Sequence, residues 1–243
     1  MSGKYFDEVN PSVATELIAN GERFQGVMPP QSTAPIFTIR KKPIKIFSLE
    51  DYFEDHALTN EQYYYLKKAV LARKNILIAG ATGSGKTTFA NAVLKEVATL
   101  NVRIAILEDT SELQSSSPNN YKFKTTEQVN MQRLLKDTLR MNIDSIVVGE
   151  VRGVEALDLL KAWNTGHPGG VATIHSDSAI DALYRLEQLI LEGSPNCQRH
   201  LISKAINVVV FLAKNSVRKR VVQEILEVKG LTQEVTPYKV VKY

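Results

Sequence analysis

With 243 residues, the chain has room for one large domain, or for one domain with part of another. Its 44% hydrophobic and 23% charged residues are ordinary for a globular protein, and its net charge of +4 is too small to indicate nucleic-acid binding. No apolar run approaches the roughly 18 residues that a membrane span needs, and the first ten residues do not resemble a signal peptide. The single cysteine, Cys197, excludes an internal disulfide and suits a reducing cytoplasm.

The first 43 residues contain too little apolar sequence to form a core alone. Glycines and prolines interrupt them, and only short β-like pieces such as Ile36–Ile39 lie between. We therefore expect residues 1–43 to be the last part of an N-terminal domain, ending in a linker at Lys41-Lys42-Pro43. Residues 44–243 are expected to form the main domain.

Two helix starts follow this linker. Ser48-Leu49-Glu50-Asp51 has the pattern of a capping box and predicts a short helix. Thr59 begins a second helix, since glutamate and glutamine occupy its first turn and an apolar face follows over residues 65–72.

The strongest signal in the chain is a phosphate-binding motif at residues 80–87. A short apolar run, Ile76–Ala79, predicts a strand that is buried on both faces. Directly after it the chain fits G-x-x-x-x-G-K-[ST] at every fixed position, and a helical pattern follows over Phe89–Leu100. We expect phosphate binding by the loop and the threonine beyond it: Gly80, Ala81, Thr82, Gly83, Ser84, Gly85, Lys86, Thr87 and Thr88.

The parts of this motif have separate tasks. Glycines let backbone N–H groups point inward at phosphate oxygens, and the helix that follows directs its N-terminus at the same group. Lys86 would place a cation on the β- and γ-phosphates, and the Thr87 hydroxyl would bind Mg²⁺. A nucleotide with Mg²⁺ is therefore the expected ligand.

Two later strands end on carboxylates. Arg103–Thr110 carries Glu108 and Asp109 at its carboxyl end, which is the ligand-facing edge of a doubly wound sheet. Ile143–Glu150 ends on Gly-Glu, which suggests a Walker B element in which Glu150 orients the attacking water.

A third strand, Val171–Ile174, brings His175 to the same edge, where it either faces the nucleotide or has a structural role. The other predicted elements are helices at 129–141, 153–163 and 179–191 and strands at 121–125 and 205–213. A terminal hairpin is predicted from 219–228 and 237–241. Together these elements predict an α/β fold with a doubly wound, mostly parallel sheet.

With these motifs placed, the chain resembles the type IV secretion ATPases of the traffic-ATPase superfamily, most closely the conjugative-transfer ATPases of the TrbB group. Besides the phosphate loop, several segments carry the resemblance. They are GERFQG at 21–26, FTIRK at 37–41, LEDTSEL at 107–113, VGEVRG at 148–153, NTGHPGG at 164–170, TIH at 173–175 and RLEQLI at 185–190. The resemblance implies a RecA-like P-loop core preceded by a short remnant of the family's N-terminal domain, which here is either truncated or naturally short.

The resemblance also implies roles for individual residues. The family's Asp box, which acts on Mg²⁺ and the attacking water, corresponds to Glu108, Asp109 and Glu112. Its Walker B glutamate corresponds to Glu150 and its His box, which senses the γ-phosphate, to His175. Thr87, Glu108 and Glu150 would thus be the metal-associated residues.

Five arginines also lie in family segments. Arg23 and Arg40 match arginines that the family's N-terminal domain places against bound nucleotide. Arg140, Arg152 and Arg185 are expected at subunit interfaces or near the phosphates, and we assign Arg152 to the nucleotide site.

At the level of the whole protein, the resemblance implies a Mg²⁺-dependent ATPase that works as a homohexameric ring. It would act at the cytoplasmic face of the inner membrane, with inner-membrane components of a type IV secretion or conjugation machine as partners and with room for peripheral membrane association.

Three other functions stay open. A pilus assembly or retraction motor or a type II secretion ATPase is disfavoured by the TrbB-like segments. A nucleic-acid-dependent RecA-like ATPase would need a basic stripe with interleaved aromatic residues, and the densest basic stretch, Lys214–Arg220, lacks them. A nucleotide-binding scaffold without turnover would not need Lys86, Glu150 and His175 together.

Overall fold

The computed structural model describes residues 5–17, 19, 21–41, 45–217, 219–233 and 236–243. The chain divides into two compact units, residues 1–45 and 46–243. Two of the three residues of the predicted linker, Lys42 and Pro43, lie outside the described residues.

The N-terminal unit contains a three-stranded antiparallel sheet in the order β1-β2-β3. Its strands are Ser12–Glu16, Arg23–Val27 and Ile36–Arg40. The β-like piece predicted at 36–39 is part of β3, whose five residues are all exposed. The register sets Arg23 directly opposite Arg40, a proximity that the sequence could not indicate because it depends on strand pairing.

The larger unit contains an eight-stranded sheet in the order β11-β10-β9-β4-β8-β7-β5-β6. Six neighbouring strands, from β9 to β6, run parallel, and β10 and β11 continue the sheet antiparallel. The strand bounds are Ile76–Gly80 (β4), Ile104–Glu108 (β5), Asn120–Lys124 (β6), Ser145–Val148 (β7), Val171–Ile174 (β8), Val208–Lys214 (β9), Arg220–Leu231 (β10) and Tyr238–Lys242 (β11).

Helices cover both faces of this sheet. They are Leu49–Glu54 (α1), Asn60–Leu71 (α2), Lys86–Val97 (α3), Met131–Thr138 (α4), Glu155–Asn164 (α5), Ala179–Leu191 (α6) and Arg199–Ala205 (α7), with a 3₁₀ turn at Ala98–Leu100. No helix among the described residues is long and apolar enough to cross a membrane.

Two apolar cores, one on each face, explain the continuous apolar runs of the central strands. Side chains of β4 alternate between them: Leu77 packs with the core under α4–α7, and Ile78 packs with the core under α1–α3. Every residue of β4, β5, β7 and β8 is buried, which is what strands with helices on both faces require. The prediction of a doubly wound, mostly parallel α/β fold is confirmed.

Several boundaries differ from those predicted. Both capping boxes are present, at Ser48 and Thr59, but α3 begins at Lys86 rather than Phe89 because the left-handed Gly85 ends the loop directly before it. The predicted strand at 205–213 is wrong at its start, since Ala205 ends α7 and β9 begins at Val208. The apolar sequence runs without a break through both elements, so hydrophobicity alone does not separate them.

Candidate functional site

The phosphate loop connects the central strand β4 to α3. Gly80, Gly83 and Gly85 all have positive φ angles, at 151°, 74° and 98°. At Gly80 a Cβ atom would also lie 2.5 Å from the carbonyl oxygen of Leu212 on the neighbouring strand. Glycine is therefore required by backbone conformation at three positions and by close approach at the first of them.

Lys86, the first residue of α3, is buried beneath this loop. Its Nζ donates hydrogen bonds to the carbonyl oxygens of Gly80, at 2.8 Å, and Ala81, at 3.2 Å. Burial lowers its pKa, Arg152 adds to this effect and Glu150 opposes it. Because the charged ammonium is disfavoured by its surroundings, an anion beside it would be stabilised.

The start of α3 also fits an anion. Its N-cap is Gly85, and no side chain caps the helix. The first backbone N–H groups of a helix have no intrahelical partner, and the helix dipole favours negative charge there. The loop and helix thus fit a phosphate group, as the motif predicts. Thr87 and Thr88 are partly buried in the first turn of this helix.

Glu150 and His175 follow the carboxyl ends of the adjacent strands β7 and β8. His175 Nε2 lies 2.7 Å from Glu150 Oε1, and His175 Nδ1 lies 3.3 Å from Lys86 Nζ. Three predicted residues from three separate segments therefore meet beside the phosphate loop. The pKa of His175 is lowered by burial first and then by Lys86 and Arg152, while Glu150 acts in the opposite direction.

Arg152 connects Glu150, which follows β7, to Asp109, which follows the neighbouring strand β5. Its guanidinium contacts Glu150 Oε2 through Nη2 and through Nε, the latter at 2.8 Å, and its Nη1 lies 3.3 Å from Asp109 Oδ2. Thr125 donates a hydrogen bond of 3.0 Å to the other oxygen of Asp109. The guanidinium thus faces two carboxylates of the site, a contact that the sequence did not reveal.

Glu108 organises the loop after β5 from inside the protein. It is buried, and its Oε1 accepts hydrogen bonds from the backbone N–H groups of Glu112, at 2.9 Å, and Leu113, at 2.8 Å. Burial raises its pKa. A Cβ on Gly149 would lie 2.9 Å from Glu108 Cγ, so the glycine before Glu150 leaves room for the Glu108 side chain.

Arg220 is a site residue that the sequence analysis did not identify. Its Nε donates a hydrogen bond of 3.1 Å to the carbonyl oxygen of Gly83 in the phosphate loop. It lines a cavity of about 410 Å³ together with Thr88, Tyr52 and Phe47. Ala81, Thr82 and Ser84 line a second cavity of about 190 Å³ on the phosphate loop. In the sequence, Arg220 belongs to the basic stretch Lys214–Arg220, which is the feature that could have indicated it. Arg218 of this stretch lies outside the described residues.

Of the remaining predicted arginines, Arg23 and Arg40 lie in the N-terminal unit, and Arg140 and Arg185 lie in the larger unit. Arg23 and Arg40 lie opposite each other within the N-terminal unit, so their approach to nucleotide stays a prediction. Arg185 donates to Gln188 on the exposed face of α6, and Arg140 is exposed just beyond α4.

ATP and Mg²⁺ fit the residues present. The positive φ angles of the loop glycines and the uncapped start of α3 suit phosphates. Thr87, Glu108 and Glu150 carry the hard oxygen donors that Mg²⁺ prefers. In the part of the chain that the structure describes, no group of three or more His, Cys, Asp or Glu side chains is arranged to hold a metal unaided.

Comparison with known proteins identifies the family. The type II/IV secretion system protein family matches residues 26–236. The conjugal transfer protein TrbB of Rhizobium radiobacter is 44% identical over 226 residues, which is 92% of this chain and 70% of that protein.

Solved structures share the fold of this chain. The VirB11 ATPase of the Brucella suis type IV secretion system, solved with sulphate, superposes with a TM-score of 0.64 at 27% identity, over 92% of this chain and 78% of that one. The pilus retraction motor PilT with bound ADP superposes with a TM-score of 0.63 over 95% of this chain and 62% of that one, and at 22% identity it supports the fold alone. The chain therefore belongs to the type II/IV secretion system protein family and has the RecA-like core of its ATPases.

Proposed function

We propose that this chain is a Mg²⁺-dependent ATPase that powers substrate transfer or assembly in a type IV secretion or conjugation system. One observation carries the proposal: Lys86, His175 and Glu150, from three segments, lie in a continuous series of contacts beside a loop shaped for phosphate. The similarity to TrbB and VirB11 supports the choice of system.

In this proposal the phosphate loop and the start of α3 hold the phosphates, and Lys86 leaves the Gly80 carbonyl to bind them. Glu150 orients the attacking water, and His175 responds to the γ-phosphate through its contacts with Lys86 and Glu150. Mg²⁺, when bound near Thr87, Glu108 and Glu150, would neutralise charge on the phosphates.

The other predicted residues have supporting roles. Asp109 and Glu112 belong to the loop that Glu108 holds in place. The cavity beside Thr88, with its aromatic residues Phe47 and Tyr52, would take the base of the nucleotide.

We further propose that the protein works as a homohexameric ring on the cytoplasmic side of the inner membrane, against membrane components of the machine. Arg23 and Arg40 would supply positive charge to bound nucleotide when the ring forms. Side by side in the sheet, the two arginines would act on one phosphate group together.

The first experiment is Mg²⁺-dependent ATP hydrolysis as a function of protein concentration, with particle mass followed in parallel. We expect a specific rate that rises as a hexamer appears, since a shared site is complete only in the ring. A rate that stays flat while hexamers form would contradict the shared site.

Two variants test the site itself. Lys86→Ala should abolish nucleotide binding and turnover, and Glu150→Gln should retain ATP without hydrolysing it. Near-normal hydrolysis by the first would exclude the phosphate-loop assignment, and unchanged turnover by the second would remove Glu150 from its role. Lys204→Met, an exposed charge change on α7, is the matched control.

A further inference from the structure

Two cations stand side by side at the turn between β9 and β10. Lys214 ends β9, Arg220 begins β10, and the antiparallel register sets them directly opposite each other. Among the described residues, no carboxylate lies within ion-pair distance of either side chain. Like charges directly opposite across two strands are destabilising, so the arrangement suits a site that an anion completes.

This cation pair lies against the phosphate loop. Besides the hydrogen bond from Arg220 Nε to the Gly83 carbonyl, a Cβ on Gly85 would lie 2.9 Å from Arg220 Cδ. A Cβ on Gly83 would lie 3.9 Å from Lys214 Nζ. Both cations therefore lie along the outer side of the loop, whereas Lys86 lies beneath it.

The same two side chains border the cavities on the loop. Both line the cavity of about 410 Å³ that Thr88 and Tyr52 also line, and Lys214 lines the smaller one beside Thr82 as well. The positive charge of Arg220 also acts on the partly buried Tyr52 hydroxyl, in opposition to the burial that raises the pKa of that group to about 12. The cations thus lie between the phosphate loop and the larger cavity.

We infer that Lys214 and Arg220 form a second cationic wall of the nucleotide site, which binds the diphosphate part of the nucleotide from outside the loop. Arg220 is in addition a positioning residue, because its hydrogen bond fixes the Gly83 peptide of the loop. The inference rests on the proposed function, since it concerns the same nucleotide. Its chemistry is charge-assisted hydrogen bonding from guanidinium and ammonium groups to phosphate oxygens.

The test is calorimetric titration of the full chain with ADP and, separately, with inorganic pyrophosphate. The variants are Lys214→Met, Arg220→Met and the double variant, which keep the alkyl stems and remove the charges. Arg220→Met should weaken ADP binding about tenfold, as expected for a lost charge-assisted hydrogen bond, and the double variant more than either single one. Pyrophosphate binding should weaken in parallel, because the contact is to phosphate and not to the base.

A second readout separates ligand binding from folding. The melting temperature without nucleotide should be equal to or higher than that of the Lys204→Met control, because the variants remove a repulsion between like charges. The KM for ATP should rise while kcat changes less than about twofold. If the variants bind ADP within twofold of the unsubstituted chain, or if binding falls only together with melting temperature, the inference is wrong. No ADP binding by the unsubstituted chain would contradict the proposed function, and the inference with it.

Discussion

His175 Nε2 lies 2.7 Å from Glu150 Oε1, although 25 positions separate the two residues in the sequence. The contact exists because β7 and β8 are parallel neighbours, so that the residues after their carboxyl ends meet at one edge of the sheet. The pKa of His175 is lowered from its ordinary value of 6.5, so the imidazole is neutral at pH 7. Glu150 is therefore paired at that pH with a neutral ring and a charged Arg152.

This contact predicts a pH dependence of stability. Because the pKa of His175 is lower in the folded chain, the unfolded chain binds this proton first as the pH falls. The stability that the neutral ring contributes is complete above about pH 6.5 and is lost as the pH falls towards and through the folded pKa. His175→Gln should therefore show a smaller fall in melting temperature between pH 7.5 and pH 5 than the unsubstituted chain. The exposed His200→Gln is the control, and equal slopes for all three proteins would exclude the effect.

Arg152 allows a second prediction, on catalysis. If its guanidinium positions Glu150 and Asp109, then Arg152→Gln should lower kcat for ATP about 10- to 100-fold and leave KM nearly unchanged. Arg152→Lys should not restore the rate, because one ammonium cannot span both carboxylates as the planar guanidinium does. A rise in KM with unchanged kcat would instead place Arg152 on the nucleotide.

The packing of Glu108 against Gly149 allows a third prediction. The added methyl of Gly149→Ala would lie 2.9 Å from Glu108 Cγ, a distance that forces the buried side chain to move. We expect unfolding free energy to fall by about 1–3 kcal/mol, as for other overpacked interiors. Denaturant unfolding of Gly149→Ala, Glu108→Ala and the variant with both changes gives a double-mutant cycle. The added methyl should lower the free energy of unfolding by less when Glu108 is already truncated. Additive effects of the two substitutions would show that the two residues are not coupled.

Trp163 and Gly170 allow a fourth prediction, at the opposite end of the sheet. Trp163 Nε1 donates a hydrogen bond of 3.0 Å to the buried carbonyl of Ile146. Trp163→Phe removes this donor and should lower the free energy of unfolding by about 1–3 kcal/mol, because the buried carbonyl loses its partner. Gly170→Ala should lower the free energy of unfolding further, since the added Cβ would lie 2.0 Å from Trp163 Nε1. Thermal melts followed by circular dichroism measure both variants, and a Gly170→Ala protein as stable as the unsubstituted chain would contradict the packing.

Local patterns were enough to predict that Lys86, Glu150 and His175 lie together at the candidate site. The phosphate loop, Glu150 and His175 each follow an apolar run, and the carboxyl ends of parallel strands share one edge. This made it possible to predict one shared site without knowing the strand order. Family resemblance supplied the rest of the predicted set.

Contacts that depend on strand register could not be predicted in this way. Arg152 and Asp109 are 43 positions apart, and Arg220 and Gly83 are 137 apart. Their approach follows from the order of the strands and from how each turn is placed, which no short pattern records. For the same reason, the sequence does not show why residue 149 is a glycine. The structure does, because the Glu108 side chain occupies the space that a Cβ would need.

The position of β4 in the middle of the sheet has a consequence for exchange with solvent. Its amides pair with β8 on one side and β9 on the other, and all five residues are buried. They should therefore be among the last to take up deuterium, while the edge strands β6 and β11 label early. Deuterium uptake would then change abruptly at Gly80, where the most protected strand ends and the phosphate loop begins. Nucleotide-dependent protection of that loop could thus be measured against an adjacent strand that serves as an internal reference.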